Sequence, residues 1–421
     1  MTPLILSLVL LGTQGPRFIE DDFGRALELA KKDKKLLFVD AWAPWCHTCI
    51  SMRQQVLTRP GFAAYEKDVV FAAVDTEKPS SAAFLERYPV DVLPTLLFVD
   101  PPTGKVLFKW LGSTDEAQMK GLLEAARGGV GLLAEADSLF AQGQSDAAAQ
   151  RYLMTLKDAP SESQARALLS MLSALTLAKS YDACARTAVE RLSSLTTPGE
   201  LVNGVTWGLG CALEMAPSSE RSQAVEALSR SARSLLESKE LGSVLADDVS
   251  GLYEVLVEER SQASAPEEAQ ALARQWLEYL EGQAAKARTP EERAVFDPHR
   301  VAAAIAAKVP EKMVEPLRRS EKELPRDYNS PARLALVLRE LGRLDEALAA
   351  VDRALAKCAA GPRKLRLFDT KVSIVEKQGK RDAKKTLLRQ MVAYAKHLPR
   401  SQLRPDRLVA LERRLTEAES P

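Results

Sequence analysis

The chain has 421 residues, of which 46% are hydrophobic and 27% charged, and its formal net charge at pH 7 is +1. We expect two or three domains at this length, and so balanced a charge gives no reason to expect nucleic acid or an acidic membrane surface as a partner. Five cysteines are too few for a disulfide-stapled scaffold. Because their number is odd, at least one cysteine is free or pairs between chains.

The first residues resemble a short secretory signal peptide. Residues 4–11 are apolar apart from Ser7, and small residues follow them. This run is much shorter than the roughly 20 apolar residues that span a bilayer, and no later segment is long enough. We therefore expect residues 1–16 to be a signal peptide and the mature protein to be periplasmic or otherwise extracytoplasmic. The alternative is a retained N-terminal strand or tail, in which case the protein is cytoplasmic.

Helical and strand patterns alternate over residues 17–128, which we assign to one α/β domain with a small mixed sheet. Continuous apolar runs indicate buried strands, and the turn "PPTG" indicates a hairpin between the last two. The predicted order is αβαβαββα: helix 20–34, strand 35–42, a helix from Cys46 to Thr58, strand 68–75, helix 80–88, strands 93–100 and 105–112, and helix 113–127 capped by Ser113 or Thr114.

Residues 129–421 are predicted to be almost entirely helical and to repeat. The phrases "GQSDAA", "KSYDAC", "GRLDEA" and "GKRDAK" recur, the first two 36 residues apart and the last two 37. This period resembles that of tetratricopeptide repeats, clearly over 130–196 and 331–398 and in degenerate form over 200–330. We therefore expect an α-solenoid of helical hairpins. Each phrase carries an aspartate that we expect to cap the second helix: Asp146, Asp182, Asp345 and Asp382.

Cys46 and Cys49 lie three positions apart, where an apolar strand gives way to a helix. On the first turn of a helix both sulfurs lie on one side, near enough to form a disulfide. The helix dipole favours a thiolate at Cys46, and Cys49 could then resolve a mixed disulfide. Half of a zinc site and two inert buried thiols are the alternatives. Since the sequence offers no second cysteine pair or paired histidines at ligand spacing, we expect neither a metal nor a bound cofactor beyond this redox pair.

"VDAWAPWCHTC" and "VLPTLLFVDPPTGK" together resemble the thioredoxin family over residues 18–127, most closely the C-terminal domains of transmembrane thiol:disulfide interchange reductases. The resemblance implies that Cys46 is the attacking thiolate and Cys49 the resolving thiol. It also implies that Asp40 is a buried acid with a raised pKa that helps to deprotonate Cys49. A strand-end Asp40 in solvent is the alternative.

The same resemblance implies a substrate-binding surface beside the cysteines. Leu93, Pro94 and Thr95 match the family's cis-proline loop, which faces the disulfide and binds the substrate backbone. Trp45 would shield the thiols and present a flat surface to clients. We assign Trp42, three residues before Trp45, to core packing.

The sequence departs from common thioredoxins between the cysteines, where His47 and Thr48 replace Gly-Pro. A protonated His47 would stabilise the Cys46 thiolate and make the disulfide more oxidising, so the direction of electron flow stays open. The alternative is that His47 is simply exposed to solvent. We expect the other histidines, His299 and His397, at the surface or at helix ends.

These features predict a thiol-disulfide oxidoreductase that acts on protein disulfides, with helical repeats that dock a client or a redox partner protein. The alternative is a non-catalytic interaction scaffold, and a disulfide isomerase is a third variant. A further alternative is that the repeats only pack on the redox domain and enlarge it. Cys184 occupies the small-residue position of its repeat, which packing explains.

Overall fold

A computed structural model describes residues 15–128, 131–156, 158, 161–403 and 405–420. Residues 1–14, which carry most of the predicted signal peptide, lie outside these ranges. Within them, no helix has both the length and the apolar composition needed to cross a membrane. The chain consists of an N-terminal α/β part followed by helices to its end.

The α/β part begins with a strand that the sequence analysis did not predict. This strand has three residues, too few to show a periodic pattern, and it pairs with a buried parallel strand through Phe18 and Phe71. The elements are β1 (Phe18–Glu20), α1 (Phe23–Asp33), β2 (Leu36–Trp42), α2 (His47–Met52), β3 (Val69–Asp75), α3 (Ala82–Arg87), β4 (Thr95–Asp100), β5 (Lys105–Leu111) and α4 (Glu116–Arg127).

The five strands form one mixed sheet in the order β1-β3-β2-β4-β5. Strands β1, β3 and β2 run parallel to one another, whereas β4 runs antiparallel to both β2 and β5. Because side chains alternate across a strand, β2 sends Leu37 to one face, with α1 and α3, and Phe38 to the other, with α2 and α4. Residues 43–49, which carry the cysteine pair and are called the redox loop below, follow β2 near the centre of the sheet.

Two local predictions about helix ends need adjustment. The helix at the cysteine pair does extend close to Thr58, but its second half, Arg53–Leu57, is π-helical. The last helix of this part is not capped by Ser113 or Thr114. Asp115 caps it, because its carboxylate and the side chain of Gln118 each accept the other residue's backbone N–H.

Successive helices of the remaining chain pack against one another, as in an α-solenoid. The fold class is thus confirmed: an α/β unit followed by an all-α array of helical hairpins. The helices are α5 (Ala134–Ala141), α6 (Ser145–Leu156), α7 (Ser161–Leu177), α8 (Tyr181–Arg191), α9 (Pro198–Glu214), α10 (Ser219–Glu237), α11 (Ala246–Gln262), α12 (Pro266–Lys286), α13 (Pro290–Ala294), α14 (Asp297–Ala306), α15 (Val314–Glu323), α16 (Asn329–Glu340), α17 (Leu344–Lys357), α18 (Arg363–Lys377), α19 (Arg381–Lys396) and α20 (Pro405–Glu419).

The four repeated phrases lie at helix–helix turns, but their aspartates are not the N-caps. Each aspartate is the second residue of its helix, within the first turn, where a negative charge complements the helix dipole. Two of them link consecutive hairpins: Asp146 accepts a hydrogen bond of 3.1 Å from Ser180, and Asp345 one of 2.8 Å from Gln378. They therefore fix the stacking of repeats.

Packing alone does not explain the cysteines of the helical part. Cys184 on α8 does occupy a fully buried position, but it forms a disulfide with Cys211 on α9, over a Cα–Cα distance of 6.0 Å. The two residues meet because α8 and α9 pack against each other. Cys358 is buried and forms no disulfide with any cysteine in the described ranges.

The two parts share one hydrophobic core. Helix α5 packs along the edge strand β5, and Phe108 of the sheet belongs to the same buried cluster as Phe140 of α5. The ammonium of Lys109 lies 4.6 Å from the Phe140 ring centre, and the guanidinium of Arg166 lies 5.0 Å from that of Phe108. Further along, α11, α14, α16 and α18 approach the redox loop.

Candidate redox site

Cys46 and Cys49 form a disulfide at the start of α2, with their Cα atoms 5.2 Å apart. The buried strand β2 ends at Trp42, and a turn closed by the Cys46 N–H and the Ala43 carbonyl, 3.0 Å apart, leads into the helix. Cys46 is the N-cap, and its sulfur accepts the N–H of Cys49 at 3.2 Å. Cys46 is 4% exposed and Cys49 is fully buried, so little sulfur surface faces solvent.

The Leu93–Pro94 loop lies beside this disulfide. The peptide bond between the two residues is cis, as the resemblance implies, and Leu93 packs against the cysteine cluster. Backbone hydrogen bonding fixes the loop, because the Pro94 carbonyl accepts the N–H of Gly112 at 3.0 Å. Thr95 is buried, and its hydroxyl donates to the Val92 carbonyl at 2.6 Å. The cis-proline loop and the disulfide are therefore neighbours.

Asp40 lies on β2, between Ala73 and Leu96 of the adjacent strands, and is 1% exposed. It is therefore not in solvent. Burial raises its pKa to about 7, although the positive charge of Arg53 acts in the opposite direction. Within the described part of the chain, nothing hydrogen-bonds to its Oδ2. Such a carboxyl can exchange a proton near neutral pH.

His47 is not simply exposed to solvent, because its imidazole meets the helical part. Its Nδ1 lies 2.5 Å from Oδ1 of Asp247 on α11, and its ring lies 4.0 Å from that of His299 on α14. Burial lowers the pKa of His47, and the hydrogen bond to Asp247 offsets this only in part. His299 lies in the first turn of α14, which agrees with the helix-end position expected for it, but at 7% exposure it is not at the surface. His397 lies exposed at the end of α19.

The match to a known protein family lies in the α/β part. The family described as "Thioredoxin-like domain" matches residues 23–127. Residues 23–127 are a thioredoxin-like domain. Two curated relatives match shorter segments of the chain: "Thioredoxin-like protein CITRX, chloroplastic" from Arabidopsis thaliana, 37% identical over 79 residues, and "Thioredoxin" from Echinococcus granulosus, 35% identical over 74. Each alignment covers 18% of this chain, and the chain spans 41% and 64% of the two relatives.

A tetratricopeptide repeat protein from Parabacteroides merdae ATCC 43184 is similar in structure, with a TM-score of 0.42 and 11% identity over 69% of this chain and 98% of that one. At this TM-score the similarity supports no further conclusion. The solenoid assignment rests on the packing of the helices and on the four repeated turns.

The helical part covers the redox loop of the thioredoxin-like domain. Trp45 is half-buried; its indole N–H donates to Glu77 at 2.8 Å, and the guanidiniums of Arg363 and Arg366 on α18 lie 5.2 and 5.3 Å from its ring centre. Asn329 of α16 donates to the Pro44 carbonyl at 3.1 Å. Trp45 therefore does not present a free flat surface.

These covering residues were not found from the sequence. Asp247, His299, Asn329 and Arg363 lie 200 to more than 300 positions after the residues they touch. Each comes from a separate helix of the solenoid, and no local motif marks any of them. Only the stacking of the hairpins brings them to the redox loop.

A small cleft of about 220 Å³ lies beside the cis-proline, between the thioredoxin-like domain and helices α9 and α11. Its lining includes Thr48 and Pro94 from the redox side, and Thr206 and Trp207 from the helical side. The hydroxyl of Thr206 is buried and finds no hydrogen-bond partner among the described residues. The cleft therefore reaches the Leu93–Pro94 loop.

Proposed function

We propose that this protein exchanges thiols and disulfides through Cys46 and Cys49. The observation that carries the proposal is the Cys46–Cys49 disulfide, placed at a strand-to-helix junction beside the cis Leu93–Pro94 bond of a thioredoxin-like domain. A cysteine pair in this setting has a neighbouring partner sulfur and a backbone loop along which a substrate chain can lie.

In the reducing direction the Cys46 thiolate attacks one sulfur of a client disulfide and displaces the other as a thiolate. Cys46 is then joined to the client by a mixed disulfide. The Cys49 thiolate attacks Cys46 Sγ, which releases the second client sulfur and forms the Cys46–Cys49 disulfide. Two electrons pass from the pair to the client. The same steps in reverse oxidise a client dithiol and leave the pair reduced.

Asp40 would serve the second step. A Cys49 thiol must lose its proton before it can attack, and a buried carboxyl with a pKa of about 7 can take up a proton and return it near neutral pH. This is the role that the family resemblance implies for Asp40. It is supported by the burial of Asp40 within β2, the strand that leads into the redox loop.

The redox pair itself would carry the electrons, so exchange requires no bound cofactor. We place the reaction in the periplasm or another extracytoplasmic compartment. The Cys184–Cys211 disulfide supports this, because buried disulfides persist mainly in oxidising compartments.

We further propose that the helical part decides which protein disulfides reach Cys46. Repeats of the tetratricopeptide type are interaction modules, and here they lie against the redox loop through Asn329, Arg363 and Arg366. With Cys46 only 4% exposed, a client or redox partner protein has to displace part of this cover. Docking on the solenoid would provide the free energy for that displacement.

One observation favours the alternative of a non-catalytic interaction scaffold. Both sulfurs are buried, and a nucleophile that clients never reach would make the disulfide purely structural. The two functions differ in whether the full chain forms a mixed disulfide with a client.

A trapping experiment on the full-length protein separates them. Reduced wild type, Cys49→Ser, Cys46→Ser and the matched control Cys358→Ser are mixed with insulin or with glutathione disulfide and quenched with acid. We expect Cys49→Ser to accumulate a mixed disulfide at Cys46, and wild type and Cys358→Ser to turn over. A trapped species that is equally abundant in Cys46→Ser, or absent from Cys49→Ser, would support the scaffold function instead.

A further inference from the structure

Three side chains of the kind that bind metals meet where α2 touches the helical part. His47 begins α2, Asp247 lies in the first turn of α11, and His299 lies in α14. His47 Nδ1 and His299 Nε2 are 2.5 and 3.1 Å from the same oxygen, Oδ1 of Asp247, and the three donor atoms all lie within 4.8 Å of one another. We propose that these residues bind one divalent transition-metal cation.

The donor set selects the class of cation. Two imidazole nitrogens and one carboxylate oxygen suit Zn²⁺, Fe²⁺ and their first-row neighbours, whereas Mg²⁺ and Ca²⁺ prefer oxygen ligands. Three protein ligands leave a position for water or for an external ligand, unlike the four-ligand closed structural zinc sites. The His47 side chain is 30% exposed while Asp247 is 3% exposed, so a cation can enter from the His47 side.

The surroundings hold the carboxylate in place. The hydroxyl of Ser51 donates to Oδ2 of Asp247, which leaves Oδ1 directed at the two histidines. Hydrogen bonds of this kind commonly orient the ligands of metal sites. The half-buried Arg333 lies near His47 and its charge opposes a cation, but the carboxylate of Asp297 lies close to Arg333 and offsets that charge.

The observed distances are those of imidazole N–H groups donating to a carboxylate, and a small shift would turn them into ligand distances. A tetrahedral Zn²⁺ at about 2.0 Å from each donor holds its ligand atoms about 3.3 Å apart. His299 Nε2 is already near that separation from Asp247 Oδ1. His47 has to move away from Asp247 by less than about 1 Å, and its side chain is 30% exposed.

This site differs from the cysteine-based zinc site considered from the sequence. It uses neither Cys46 nor Cys49, and it became visible only when the fold brought positions 47, 247 and 299 together. A bound cation would tie His47, one of the two residues between the cysteines, to the solenoid. The metal site does not depend on thiol–disulfide exchange.

The test is a zinc competition titration of the full-length protein with both disulfides formed, so that none of the four paired cysteines offers a thiolate to the metal. The remaining cysteine, Cys358, is buried. A chromophoric chelator competes for Zn²⁺ at neutral pH with wild type, Asp247→Asn and His299→Gln. His397→Gln, at an exposed histidine, is the matched control. We expect one Zn²⁺ per chain. Because loss of an outer partner alone costs about 10- to 100-fold in affinity, each ligand substitution should weaken binding at least about 100-fold.

Circular dichroism checks that each variant is folded, and the visible spectrum of wild type loaded with Co²⁺ gives a readout that needs no variant. Nitrogen and oxygen ligation should give d–d bands without the intense near-ultraviolet band of a cobalt–thiolate bond. If wild type binds no Zn²⁺, or if His299→Gln binds it as tightly as wild type, the cluster is a hydrogen-bonded triad only. Insulin turnover by the same samples reports on the redox proposal separately.

Discussion

Replacing Asp40 by asparagine removes a carboxyl that the fold holds at 1% exposure and without a hydrogen bond to Oδ2 from any described residue. Burial raises the pKa of Asp40 from 3.8 to about 7. Between those values the folded protein keeps a proton that the unfolded chain has released. Ionisation of Asp40 therefore costs stability increasingly as the pH rises, and the whole cost is present above pH 7.

The size of this effect follows from the pKa difference. The full cost is about 4 kcal/mol, and the part that develops between pH 5 and pH 8 is about 2.5 kcal/mol. The buried amide of Asp40→Asn has its own cost of about 1–3 kcal/mol, which does not depend on pH. The informative quantity is therefore the change with pH of the difference in unfolding free energy between variant and wild type.

Urea unfolding of the oxidised proteins at pH 5, 6, 7 and 8 measures that difference. Relative to wild type, Asp40→Asn should gain about 2.5 kcal/mol between the two extremes. Asp33→Asn, at the exposed end of α1, controls for the substitution itself. A difference that stays constant within about 0.5 kcal/mol would refute the raised pKa. If Asp40 also serves the resolving step, the variant should accumulate mixed disulfides during turnover.

Three further outcomes test the helical part and its cover. Replacing both Cys184 and Cys211 by serine should lower the unfolding free energy, measured by urea unfolding, by about 3.5 kcal/mol, because the unfolded chain is no longer closed into a loop by the disulfide. An unchanged midpoint would contradict the disulfide. Arg363→Ala removes a guanidinium from the Trp45 ring and should speed alkylation of the reduced nucleophilic cysteine several-fold, and an unchanged rate would argue against the cover. Gly361→Ala places a Cβ 2.4 Å from the Glu77 carbonyl oxygen, which forces this part of the cover away from the loop and should speed the same alkylation. Gly342→Ala, also at positive φ but in open surroundings, should leave the rate unchanged.

Most of the α/β part could be predicted because each element has its own local pattern. The buried strands are continuous apolar runs, and the cysteine pair and the Leu93–Pro94 loop are short motifs. Strand β1 was not predicted because Phe18–Glu20 is too short to show a periodic pattern of apolar residues. The cap of α4 was placed one or two residues early, because Asp115 competes with two neighbouring hydroxyl residues for the same position.

The redox site could be predicted only on its thioredoxin-like side. Repeated phrases revealed the hairpins and their turns, but they say nothing about how far the solenoid curves. The contacts of His47 with Asp247 and His299 depend on that stacking of the hairpins. The disulfide partner of Cys184 was missed for a similar reason, because Cys211 lies in the next hairpin, outside the recognised repeat.

The reduction potential of the Cys46–Cys49 pair tests the central proposal most directly. The full-length protein is equilibrated in graded glutathione or dithiothreitol buffers, free thiols are trapped with an alkylating mass tag, and tagged peptides are assigned by mass spectrometry. We predict a two-electron transition of this pair, with Cys184–Cys211 unreduced, at a potential between about −270 and −120 mV. A value near the lower end indicates a reductant and one near the upper end an oxidant. A pair that never titrates across this range would contradict thiol–disulfide exchange and leave the helical repeats as the functional part.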